Sequence, residues 1–104
     1  MRHMVHYIVT PEAGLKIEAR PGGPGPVVGR LVERFKPEAM YLCPVRRECW
    51  MVVDLPTPAD MAEMMIAIVG FAGAYPEIMP VMTGQEFGPV VAKAMPAARK
   101  ILDG

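Results

Sequence analysis

His6, Trp50 and Glu77 are the residues whose types could do chemistry together, with Tyr41, Tyr75 and Arg46 as companions. An imidazole exchanges a proton near neutral pH, a carboxylate can fix its orientation, and an indole stacks on a flat molecule. The set therefore suits either proton transfer on a partly apolar or aromatic compound or simple binding of one, with His6 as shuttle and Glu77 as its orienter. The competing reading is packing alone, a strand histidine and a tryptophan at an interface between copies. No nucleophile and base triad can be written, because the chain has no serine and only two histidines. Arg46 and Arg47 sit together in a turn, where they suit an anionic group on a ligand or only solubility.

Other donor sets are weaker. His3, His6, Cys43 and Cys49 are four metal-type ligands, but His3 and His6 point to opposite faces of a strand, and Cys-x5-Cys matches no tight knuckle. No metal and no cofactor is expected. The two cysteines flank a hairpin and can lie across from one another; in a reducing compartment they stay thiols. Ten methionines suggest soft copper(I) ligation, yet Met61, Met64 and Met65 have the spacing of a core stripe. Residues 21–26 hold glycines without Gly-Lys-Ser/Thr or Gly-x-Gly-x-x-Gly, so they read as a loop over the open end of a cavity.

The elements that must position these residues follow from alternation and punctuation. Residues 4–10 are β-branched and aromatic and stop at Pro11, which predicts a first strand with Met4, His6 and Ile8 on one face. Residues 12–25 form a ragged connection in which Leu15, Ile17 and Ala19 alternate like a short edge strand. Pro26 opens a helix with Val27, Val28, Leu31, Val32 and Phe35 on one side, and Lys36-Pro37 ends it. Strands at 39–43 and 48–55 are joined by Pro44-Val45-Arg46-Arg47 as an antiparallel hairpin. Cys49, Met51, Val53 and Leu55 make one face of the second of these apolar; Glu48, Trp50, Val52 and Asp54 make the other.

Thr57-Pro58-Ala59-Asp60 is a helix start, and the helix runs to about Gly73. Residues 61–74 carry a single charge, Glu63, so this helix has no obvious water face and needs a cover on both sides. Residues 76–82 are extended, with Pro76 and Pro80 confining them to a sheet edge. Thr83-Gly84-Gln85-Glu86 starts a last helix with a stripe of Val91, Ala94, Met95, Ala98, Ile101 and Leu102, kinked at Pro96.

This order, with two βαβ-like halves, predicts an α+β fold: a ferredoxin-like βαββαβ arrangement with an extra C-terminal helix, in which a four-stranded antiparallel sheet carries its helices on one face. The chain of 104 residues is one domain, with a core at about 4–87 and the last helix at about 84–103. A bare second sheet face in a chain that is 52% apolar predicts a homodimer, and the all-apolar helix leaves a tetramer open. Zero net charge argues against nucleic acid as a partner. No apolar stretch reaches the ~20 residues of a bilayer span, so neither membrane nor leader is expected and the cytoplasm is the default.

Strand order, size, the run Val53-Asp54-Leu55-Pro56-Thr57-Pro58-Ala59-Asp60 and the later Ile78-Met79-Pro80-Val81-Met82 resemble the dimeric α+β barrel superfamily, in particular its short bacterial families of unknown function. The resemblance covers roughly residues 4–87 and departs in the proline- and glycine-rich first connection and the proline-interrupted last helix. Members include cofactor-free monooxygenases, lactone isomerases, haem-handling enzymes and ligand-sensing domains, which implies a cavity between sheet and helices or between sheets and no particular reaction. The expected role is binding of a small apolar or aromatic molecule in such a cavity. The alternatives are a cofactor-free isomerase or monooxygenase and a purely structural association domain.

Overall fold

The computed structural model describes all 104 residues, Met1–Gly104. In chain order the elements are β1 (Arg2–Ile8), α1 (Pro11–Glu18), α2 (Gly25–Phe35), β2 (Ala39–Cys43), β3 (Glu48–Asp54), α3 (Pro58–Ala72), β4 (Glu77–Pro80) and α4 (Gly84–Asp103). All strand pairs are antiparallel, and the sheet order is β2-β3-β1-β4. β1 is thus central, while the strand containing Pro80 lies on an edge, where a missing N–H breaks no ladder. This is a small α+β fold compatible with the ferredoxin-like arrangement.

Alternation divides the sheet. Val5, Tyr7, Cys49, Met51 and Val53 are buried on one face against Leu31 and Phe35 of α2 and Met64, Ile68 and Ala72 of α3. Met64, Ile68 and Ala72 recur every fourth residue, so the buried stripe of α3 is narrow and Ile66 on its outer side stays exposed. α3 begins where its sequence demands. Thr57 Oγ1 accepts the Asp60 N–H at 3.1 Å and Asp60 Oδ2 accepts the Thr57 N–H at 3.2 Å, a reciprocal capping box. It ends at Gly73, whose φ of 74° lies in the left-handed region.

Two expectations need correction. Residues 12–25 contain no edge strand; Pro11–Glu18 is a helix, with Thr10 Oγ1 accepting the Ala13 N–H at 3.2 Å. Thr10-Pro11-Glu12 is the same cap, N1 proline and acid that starts α3, and its formation ends β1 at Ile8, two residues earlier than the pattern suggested. The cysteines do not face each other either. The register pairs Leu42 with Cys49 and Cys43 with Glu48, so the two thiols lie on opposite faces of the sheet.

α4 departs most from a packed helix. It runs through Pro89 and Pro96 and buries none of its residues, and the molecule measures 58 Å along its longest axis against 27 and 25 Å across. Its base is secured by a second capping box, Thr83 with Glu86, and by Arg2 Nη1 donating to Glu86 Oε1 at 3.0 Å. No helix is long and apolar enough to cross a membrane.

Candidate functional site

The sheet face without helices collects most of the residues singled out in the sequence. The ladders pair His6 with Trp50 on one side and Glu77 on the other, and Trp50 with Tyr41 in turn. Residues directly opposite in antiparallel strands carry their side chains on the same face, so one row runs Tyr41, Trp50, His6, Glu77 across all four strands. The His6 and Trp50 rings stack with centroids 5.2 Å apart and planes 14° from parallel. His6 Nδ1 lies 3.3 Å from Glu77 Oε1, and Nε2 lies 3.8 Å from Glu48 Oε1.

Glu48 belongs to this cluster and was not among the site residues expected from sequence. It is buried, and Arg46 reaches it with Nη2 3.5 Å from Oε1, so Arg46 meets the cluster through an acid rather than through open space. The signal for Glu48 was its position two residues before Trp50 on the same face of β3. Tyr75 lies outside the row, exposed in the connection between α3 and β4. His3 faces the helices with its Nδ1 2.8 Å from the Met1 carbonyl oxygen, on the opposite side of the sheet from His6.

The chemistry open to His6 is limited by its cover. Nδ1 is oriented by a carboxylate, as an acid–base residue requires, but Nε2 is buried and has no hydrogen-bond partner. A substrate would have to displace the side chains over it before exchanging a proton there.

The other face holds a cavity of about 430 Å³ that the sequence did not reveal residue by residue. Tyr7 and Val9 at the end of β1, Ile17 of α1, Val28 of α2, Leu42 of β2 and Phe71 of α3 supply its apolar lining, and Glu18 and Arg47 its charged side chains. The Tyr7 and Phe71 rings meet edge to face at 5.3 Å. Burial first, and the adjacent Cys49 second, push the Tyr7 phenol well above its ordinary value of 10.0; burial likewise raises the Cys49 thiol.

Arg47 closes one side. Its φ of 54° is left-handed, which aims the side chain back over α1, where Nη2 donates to Glu18 Oε1 at 2.6 Å. The guanidinium occupies the place where a Cβ on residue 14 would stand, so Gly14 is what lets it lie there. Nη1 is buried in that niche without a partner. A volume of this size lies in the range of small-molecule sites, which are mostly apolar with a few convergent polar groups.

Comparison with protein-family models, with curated proteins and with solved structures finds no match to this chain.

Proposed function

We propose that the protein is a small cytoplasmic, homo-oligomeric binding domain of dimeric α+β barrel type that takes a small, largely apolar or aromatic molecule between its sheet and α1 and α2. The observation that carries this reading is the cavity of about 430 Å³ lined by Tyr7, Val9, Ile17, Val28, Leu42 and Phe71. A core this small gains from closing such a space with its own side chains, because an unfilled apolar void forfeits dispersion contacts on every wall. A bound apolar molecule restores those contacts. Glu18 and Arg47 beside it give it polar groups for orientation.

Titration with anilinonaphthalene sulfonate, followed by its fluorescence, tests the reading. The wild-type chain is expected to bind the dye, and Val28→Phe or Leu42→Phe, each adding bulk to the lining, to weaken it by about tenfold or more. Trp50→Ala on the opposite face is expected to leave the affinity nearly unchanged. Loss of binding in Trp50→Ala with full binding in both cavity variants would move the site to the open sheet face.

A second reading, a cofactor-free isomerase or monooxygenase, has one observation in its favour, the Glu77 carboxylate 3.3 Å from His6 Nδ1. The buried Nε2 weighs against it. His6→Ala separates the two: an enzyme loses turnover while staying folded, and a binding domain keeps most of its affinity for the dye.

A further inference from the structure

Taking the cavity as a binding site, we infer that α1 is its gate and Arg47 the latch. The guanidinium, seated over Gly14 and bonded to Glu18, holds α1 closed over the bound molecule, and its release lets the helix swing out from a fixed start at Thr10.

The walls of the cavity differ in how they are held. α2 puts Leu31 and Phe35 into the main core and α3 puts Met64, Ile68 and Ala72 there, whereas α1 puts none. It is eight residues long, well under the ~12–15 that an isolated helix needs, and buries only Gly14 and Ile17, with Leu15 exposed. Yet its Ile17 and Glu18 close one side of the cavity. α1 is thus the wall that can move at least cost to the core.

Its two ends are fastened differently. At the start, the Thr10 N–H donates to the Ala72 carbonyl at 2.9 Å and Thr10 Oγ1 accepts the Ala13 N–H, while Gly73, having no Cβ, lets the end of α3 lie against both residues. At the other end the chain turns through Gly22 and Gly23, whose φ values of 81° and 62° are left-handed. Beyond the bonds within α1, its cap and this turn, one hydrogen bond ties residues 14–23 to the rest of the chain. That bond is Arg47 Nη2 to Glu18 Oε1 at 2.6 Å.

The latch is built both to hold and to let go. Arg47 keeps its base on the sheet, where its carbonyl accepts the Val9 N–H at 2.9 Å, so its backbone stays in place while α1 moves. The charge-assisted bond to Glu18 favours the closed form. Against it, Nη1 is buried over Gly14 with no partner, and a donor that has lost its water without gaining an acceptor offsets part of that gain. Opening returns water to Nη1, so the closed form is favoured by little, as a gate that a ligand must pass requires.

Stopped-flow binding of N-phenylnaphthylamine, an uncharged apolar fluorophore, tests the gate together with hydrogen exchange of the α1 amides. Gly14→Ala is the variant of choice, because alanine suits a helix better than glycine and the new Cβ displaces only the flexible end of Arg47. A latch acts on the free and the loaded protein alike. Its loss is therefore expected to raise the association and dissociation rate constants together, each by about fivefold, and to leave the dissociation constant within about twofold. Amides of residues 15–18 are expected to exchange faster by a similar factor, with those of α3 unchanged. In an Arg47→Ala background Gly14→Ala is expected to change neither rate constant, since no guanidinium is left to expel. Gly70→Ala on α3, where a Cβ meets nothing, is the control.

Wild-type rates and exchange in Gly14→Ala, or an effect of that variant that persists without Arg47, would overturn the gate. So would a rise in the dissociation rate alone, which would make α1 a fixed wall that the probe touches. Failure of the cavity reading looks different: a wild type that takes up no probe, or uptake that Val28→Phe leaves undiminished, removes the ligand site and the gating with it. Faster α1 exchange in Gly14→Ala would then still keep Arg47 as the fastening of α1.

Discussion

The His6 imidazole lies nearly parallel to the Trp50 indole at 5.2 Å, and the stack stands on the one face of the sheet that carries no helix. Its members are cross-strand neighbours, so the backbone ladder fixes the pair before any side-chain interaction contributes. His6→Ala is expected to cost about 1 kcal/mol, the size of one aromatic pair, which is a fall of roughly 4–8 °C in melting temperature for a domain of this size. Acrylamide quenching of Trp50 should rise in the same variant. A melting temperature and quenching constant equal to the wild type would mean that the stack does not exist in solution.

Gly73 is expected to resist substitution more than any other helix-ending position. An L side chain at its φ of 74° costs roughly 1–2 kcal/mol, and a Cβ there would stand 2.9 Å from Thr10 Oγ1 and 3.1 Å from the Ala13 Cβ. Those two residues form the cap of α1. Gly73→Ala should therefore lower the melting temperature by well over the backbone cost alone, and Gly70→Ala, where a Cβ meets nothing, serves as the control in thermal denaturation.

Tyr7 sets an alkaline limit. Its folded phenol titrates above the ordinary value of 10.0 because burial disfavours the phenolate, while the unfolded phenol titrates near that value. The stability from this protonated, buried state is complete below pH 10 and is lost as pH rises above it. Tyr7→Phe should flatten that loss in denaturant titrations run from about pH 8, where the phenol is protonated in both states, to about pH 11, about one unit above the onset. An identical alkaline slope in both proteins would argue that Tyr7 is not buried.

The two thiols should react at different rates. Cys43 is half-buried on the open side of the sheet, whereas Cys49 is buried and its thiol is pushed up by burial. Ellman's reagent is expected to label one thiol quickly and the second only as the chain unfolds, with Cys43→Ala removing the fast phase. Two fast phases would place Cys49 in contact with solvent.

The legibility of this fold depended on how local each signal was. Trp50, Tyr41, His6 and Glu77 could be put on one face because alternation and an antiparallel register suffice to place them, and the ladders pair them that way. α1 was missed because Leu15 is exposed on it and only Gly14 and Ile17 are buried, leaving no apolar stripe for the helical period to reveal. The cap at Thr10 carried the information instead. The cavity draws on β1, α1, α2, β2, α3 and the hairpin turn, and on a guanidinium admitted by Gly14; no window of sequence contains that combination. Tyr75 fell outside the cluster because the connection that holds it has no period from which a direction follows.

Native mass spectrometry of the full chain, purified from a rich extract, tests the central claim most directly, since it reports copy number and bound small molecules in one spectrum. A chain that holds an apolar molecule between its sheet and helices should carry a reproducible extra mass, lost or sharply reduced in Val28→Phe and retained in Trp50→Ala. Bare wild-type protein, or an adduct that survives Val28→Phe undiminished, would contradict the assignment of this cavity as the binding site.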